Sequence, residues 1–89
     1  GREVAIARRK GSEWYVGVIR VVGNEPVEIP LPFLSPDRRY EATIYTDAHP
    51  EDPASKEVKV ETMAVDSTTV LRAPMPNNGG LAVRIVPIP

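Results

Sequence analysis

Apolar residues recur at every second position over short stretches of the chain, and no window holds the i, i+3, i+4, i+7 spacing of an amphipathic helix. Val4 to Arg9 alternates weakly and runs into Lys10-Gly11-Ser12-Glu13, a glycine-containing loop of hairpin length. Trp14 to Val22 follows as a second strand. Val27, Ile29 and Leu31 alternate with Glu28 and Pro30, and the prolines, which lack a backbone donor, place this segment at a sheet edge. Tyr40, Ala42 and Ile44 alternate with Glu41 and Thr43 in the cleanest half-buried pattern of the chain. Val58, Val60 and Thr62 alternate with Lys59 and Glu61, and Thr69 to Leu71 forms a short strand after an Asp66-Ser67 turn. Leu81, Val83 and Ile85 form the last strand, after a turn-rich link from Pro74 to Gly80. Ten prolines and six glycines separate these segments. The pattern predicts an all-β fold, an antiparallel β-sandwich of about seven short strands, in a single domain spanning residues 1–89.

Two of the strands break the rule that an outward face is polar. In the second, Trp14, Val16 and Val18 make one apolar face, aligned with a core that also takes Ile44, while Tyr15, Ile19 and Val21 fill most of the other. In the last, Ala82, Val86 and Ile88 oppose Leu81, Val83 and Ile85, interrupted by Arg84. Something must cover that second face. Tyr15, Ile19, Val21 and Val86 are therefore the candidate interface residues, and a larger partner is the expected occupant.

Composition narrows the choice of partner. Eleven Lys and Arg stand against twelve Asp and Glu, which argues against nucleic acid or an anionic membrane recognised through phosphate. There are no cysteines, so disulfides and thiolate metal sites are excluded. The longest apolar run, Trp14 to Ile19, is too short to span a bilayer. The chain begins at Gly1 rather than methionine, which suggests a piece of a longer protein whose targeting segment lies elsewhere.

Candidate chemistry is sparse. Asp47, His49, Glu51 and Asp52 gather the one histidine and three carboxylates, but the spacing lacks the D-x-D-x-D-G pattern of a calcium loop, and Pro50 and Pro53 stiffen it. No serine stands in a nucleophile elbow or other activated setting, so a catalytic triad would have to be built from His49 in the proline-rich loop. Arg8, Arg9 and Lys10 form a short basic run at a strand end, where charges blunt an edge. Asn77 to Gly80 precedes a strand rather than a helix, so it is a turn and not a phosphate loop. No catalytic, cofactor-binding or metal-binding residue is assigned. The alternative to a docking domain is a carbohydrate-binding module in which Tyr15 or Tyr45 stacks on a sugar.

In order and with matching gaps, the segments VAIARRKGSEWYVGVI, IPLPFLSPDRRYEATIYTDA and NNGGLAVRIVP resemble the C-terminal domain of glycoside hydrolase family 97, the α-glucosidase and α-galactosidase group. The family's aromatic and aliphatic positions correspond to Phe33, Leu34, Tyr40, Ala42, Ile44, Tyr45 and Asp47, and a glycine pair precedes the last strand as Gly79 and Gly80 do. One departure is Ala48, where the family tends to have glycine. The resemblance implies a non-catalytic accessory domain that packs on the catalytic barrel of its parent chain, supports homo-oligomerisation, or does both. It further implies that the catalytic carboxylates and the calcium ligands lie in the rest of that parent enzyme, which would be periplasmic or secreted.

Overall fold

The period-2 segments become seven strands in the computed structural model, which describes residues 2–23, 25–47, 57–75 and 79–89. They are β1 (Arg2–Lys10), β2 (Glu13–Val22), β3 (Val27–Pro30), β4 (Tyr40–Asp47), β5 (Val58–Val65), β6 (Val70–Ala73) and β7 (Gly80–Pro87). Every pairing is antiparallel. Five strands form one sheet in the order β1-β2-β7-β4-β5, and β3 and β6 form a second sheet of two. The all-β antiparallel sandwich read from the sequence is the observed architecture. Much of the acidic loop after Asp47, including Ala48, His49, Glu51 and Asp52, and Pro76 to Asn78 of the later link lie outside the described residues.

Local chemistry explains the turns. The β1–β2 hairpin closes on Gly11 and Ser12, and Gly11 takes the positive φ of 62° that tight hairpin turns require and that a Cβ disfavours. Before β6, Asp66 folds back on itself: Thr68 donates its backbone N–H and its hydroxyl to the Asp66 carboxylate, and the Thr69 N–H donates to the Asp66 carbonyl. Pro30 stands opposite Val70 in a two-stranded sheet, where both strands are edges and a missing donor breaks no inner ladder.

The core lies where the small sheet covers the large one. Val16 and Val18 of β2, Leu81, Val83 and Ile85 of β7, and Tyr40, Ala42 and Ile44 of β4 meet Val27, Ile29, Leu71 and Ala73 from the small sheet. Leu31, Leu34 and Met75, in the connections, seal its margin. Two strands cannot cover five. Accordingly the described side chains of β1 are all exposed, and only Val65 of β5 is buried, so both outer strands overhang the core.

Trp14 takes the core face, as its alignment with Val16 and Val18 predicts, but it is half-buried at the rim rather than enclosed. It belongs to the first rungs of β2, where its cover is a connecting segment: the Phe33 ring lies 4.5 Å away, centroid to centroid, tilted by 43°. The Arg9 guanidinium stands 6.0 Å from the Trp14 ring. The basic run thereby divides, Arg9 toward the tryptophan and Arg8 toward the opposite face, in keeping with strand alternation.

The interior also holds a charge that the apolar pattern does not announce. The next core-facing position after Val18 is Arg20, which is 1% exposed. Its guanidinium donates to the Glu3 carboxylate on β1, to the Glu25 carbonyl before β3, and to the Met75 carbonyl after β6 at 3.0 Å. Its own backbone N–H donates to the Gly79 carbonyl at 2.9 Å. Among the described residues no buried side-chain nitrogen or oxygen lacks a partner. The charge is therefore tolerable in the interior because it is matched atom by atom.

Removing it should be expensive. Arg20→Met leaves the Glu25 and Met75 carbonyls without their donor and should cost about 3–5 kcal/mol, and Arg20→Lys about 2–3 kcal/mol, because an ammonium cannot reproduce the planar fork. Glu3→Gln should cost about 1–3 kcal/mol, less than Arg20→Met because Glu3 is 38% exposed and glutamine keeps an acceptor oxygen, although the buried guanidinium loses its counter-charge. Urea unfolding ranks the three; an Arg20→Met variant as stable as the native chain contradicts the assignment.

Candidate functional site: the outer face of the large sheet

With one face of the five-stranded sheet on the core, the other is left to its own residues, and the register decides how they align. Ile6 stands opposite Gly17, Gly17 opposite Ala82, Ala82 opposite Tyr45, and Tyr45 opposite Val60. This single apolar row crosses all five strands. Its two small residues occupy the central strands β2 and β7, so the middle of the sheet is hollow while Ile6 and Tyr45 rise on either side. The result is an open depression of about 530 Å³, closed along one flank by Tyr15 and Arg84, with Arg8 nearby.

The polar residues beside the trough neutralise one another. The Tyr15 hydroxyl donates to the Glu13 carboxylate at 2.8 Å, and Arg84 donates to the same oxygen through Nε at 3.1 Å and Nη2 at 2.9 Å. Tyr15 and Arg84 are cross-strand partners, and Glu13 lies two residues from Tyr15 on the same face, so strand geometry alone brings the three together. The hydrogen bond from Tyr15, and then those from Arg84, hold the Glu13 carboxyl below its ordinary range, while Tyr15 and Glu13 push the Arg84 pKa upward. Arg84, which interrupts the apolar pattern of the last strand, is thus balanced within the sheet.

Of the four residues proposed from the sequence, Tyr15 and Ile19 lie on this face, 41% and 66% exposed. Tyr15 lines the trough, and Ile19 sits one rung beyond it, opposite Gly80 at the last rung of the β2–β7 ladder. Val21 is exposed but is the extra residue of a bulge: Arg2 pairs with Val22 and Glu3 with Arg20. The alternation that aligned Val21 with Ile19 breaks there. Val86 is half-buried at the opposite end of the sheet, opposite Glu41. Val21 and Val86 are separated by roughly 26 Å along the strands and do not share one patch. Ile6 and Tyr45, which make the walls, are not among the interface residues proposed from the sequence, because a trough across several strands depends on pairing that a single strand's pattern does not carry.

Among the described residues no three His, Asp or Glu side chains come close enough to hold a metal ion. The outer face itself offers shape and apolar area.

Residues 1–86 match the family described as glycosyl-hydrolase 97 C-terminal, oligomerisation. The retaining alpha-galactosidase of Bacteroides thetaiotaomicron is 32% identical over 85 residues, covering 96% of this chain and 13% of that enzyme. A glycoside hydrolase family 97 enzyme from Pseudoalteromonas sp. strain K8, solved in complex with acarbose, superposes on 98% of the chain with a TM-score of 0.79 and 26% identity, over 14% of its own length. A beta-arabinopyranosidase shares the fold alone, with a TM-score of 0.63 and 22% identity over 94% of the chain and 12% of that protein. The chain spans about an eighth of the enzymes it matches.

The depressed Glu13 pKa gives a pH signature. A carboxylate whose folded pKa lies below its unfolded value stabilises the fold above the unfolded value, and that contribution is lost as pH falls through the folded one. The Tyr15-Glu13-Arg84 cluster should therefore be complete at neutral pH and loosen only in acid, below the range in which a glutamate ordinarily titrates. In Arg84→Gln, the Glu13 side-chain resonance should titrate at a higher pH than in the native chain; an unchanged midpoint would show that Arg84 does not act on it.

Proposed function

The chain belongs to the glycosyl-hydrolase 97 C-terminal, oligomerisation family, and from that premise we propose that its outer sheet face is the surface by which the domain docks on the catalytic barrel of its parent enzyme. The observation that carries the reading is the trough floored by Gly17 and Ala82. A hollow with apolar walls and a neutralised polar flank fits an inserted aliphatic or aromatic side chain, the anchor-in-pocket arrangement that concentrates binding energy at protein interfaces. Exposed Val4, Ile19, Tyr45 and Val60 extend the apolar surface around it. Tyr15 and Ile19 are the contact residues of that interface, and Val21 and Val86, at opposite ends of the sheet, lie outside it.

The parent enzyme, in this reading, is an α-glycosidase acting on an α-glucoside or α-galactoside, and the acid and base of its reaction belong to the barrel. The domain supplies a rigid platform and takes no part in the chemistry. Any calcium of the parent is held outside this domain, and the parent works in the periplasm or beyond the cell. Sugar binding is the weaker reading: Tyr15 spends its hydroxyl on Glu13, and the trough is mainly aliphatic, whereas a sugar demands a ring of hydrogen-bonding groups as well as a stacking face.

Gly17→Val separates docking from folding. A Cβ added at Gly17 meets nothing within 4 Å, and valine suits a strand better than glycine, so the isolated domain should melt at the same temperature or a few degrees higher. In the full-length enzyme the same change fills the trough and should loosen the domain, seen as a separate low-temperature transition and faster proteolysis at its junction with the rest of the enzyme. A full-length variant that melts and resists proteolysis like the native enzyme overturns the docking surface. The isolated domain should hydrolyse neither α-glucosides nor α-galactosides, and its fluorescence should not change on titration with maltose or melibiose; saturable quenching would favour the sugar-binding reading.

A further inference from the structure

We propose that the oligomer is built by β5, whose free edge pairs antiparallel with β5 of a second copy about Val60, joining two large sheets into one of ten strands. The proposal deepens the oligomerisation reading, since it names the strand, the register and the partner, and it uses a different surface from the trough.

Three observations converge on β5. First, it ends the sheet: β4 pairs with one side of it, and among the described residues no strand lies on the other. Every second N–H and C=O on that side points away from the sheet, in a strand eight residues long. Second, among the described residues nothing from the small sheet reaches it, and seven of its eight residues are exposed. Third, its sequence is complementary to itself. In Val58-Lys59-Val60-Glu61-Thr62 a two-fold axis through Val60 sets Val60 against Val60, Lys59 against Glu61 of the partner subunit, and Val58 against Thr62 of the partner subunit.

The adjacent registers fail on elementary grounds, and those centred on Thr62 or Met63 leave Lys59 and Glu61 without an opposite charge across the axis. Centring on Lys59 opposes two lysines, and centring on Glu61 opposes two glutamates. A slip of one residue turns the apolar side of one strand to the polar side of the other. The other edge strand, β1, is a poorer candidate. Pairing about Ile6 would set Arg2 against Lys10, and its acid, Glu3, is already engaged by Arg20.

Charged residues on an edge often serve to prevent association, and Lys59 with Glu61 could be read that way. A blocking strand, however, carries charge of one sign, which repels its own copy in every register. Here opposite charges flank Val60 symmetrically. Within one chain Lys59 Nζ already lies 2.8 Å from Glu61, with 60% and 50% of these side chains exposed. A surface pair of this kind is worth little, so it exchanges readily for two cross-strand pairs. On the outer face the apolar row from Ile6 to Val60 then continues across the two-fold axis into its symmetry copy.

Charge reversal tests the register. Lys59→Glu sets two carboxylates against each other at each charged rung, Glu61→Lys sets two ammonium groups there, and each should weaken self-association of the purified chain at least tenfold in sedimentation equilibrium. Mixing the two single variants should restore dimers, of mixed composition by native mass spectrometry, and the double variant should dimerise alone as the native chain does. Unchanged thermal melts establish that the variants fold. If the native chain and both single variants associate equally, the β5 assignment is wrong while oligomerisation stands. If the native chain remains monomeric up to millimolar concentration, the pairing is overturned, and the docking surface remains to be judged by Gly17→Val.

Discussion

The guanidinium of Arg20 is the joint on which the two sheets depend. Strands β1 and β2 belong to the large sheet, and the segments entering β3 and leaving β6 frame the small one; Arg20 binds an acceptor on β1 and one in each of those segments. Apolar packing between two sheets is not directional and would tolerate sliding, whereas a planar fork with three fixed acceptors permits one alignment. That specificity has a cost, since a charge leaves water, and the cost is offset because the guanidinium satisfies the buried Met75 carbonyl, the part-buried Glu25 carbonyl and the Glu3 carboxylate. The bulge at Val21 adjoins the same residue and marks the place where the strand departs from regular pleating beside the anchor.

From that joint follows a division of surfaces. A two-stranded sheet held over the centre of a five-stranded one can enclose only part of it. The covered part is the core, the reverse face is the apolar trough, and the two overhanging strands are edges. One covering sheet thus leaves three kinds of surface with distinct chemistry: a packed interior, a broad hollow suited to a large folded neighbour, and a free edge suited to another strand. On the docking and pairing proposed above, the two contacts fall to a face and to an edge, and so do not compete.

The elements are legible because each is local. The period-2 runs locate every strand, Gly11 marks the hairpin, and the scarcity of polar residues on the faces opposite Val16 and Val83 points to a reverse face of unusual apolarity. What escapes is whatever depends on pairing between distant segments. Arg20 reads as an ordinary surface arginine until Glu3, Glu25 and Met75 are known to surround it, although its position in phase with Val16 and Val18 is a visible signal. Alternation puts Trp14 on the correct face but too deep, because it gives the side of a strand and not the extent of the sheet above it. Val21 and Ile19 differ for a like reason: a bulge shifts the phase without changing composition. The trough requires knowing that Gly17 and Ala82 are opposite one another, which only the register supplies.

The strand order also has a kinetic meaning. The final strand of the seven, β7, is the central strand of the large sheet, flanked by β2 and β4. The hairpins β1–β2 and β4–β5 are each close in sequence and can form as soon as they are made, but no described ladder joins them until β7 inserts between. During synthesis the chain must therefore wait with two unconnected hairpins and exposed edges for its last element, a long-range closure that slows folding and prolongs exposure to aggregation. Loss of β7 to premature termination or nicking would not trim such a sheet at its border; it would divide it through the middle.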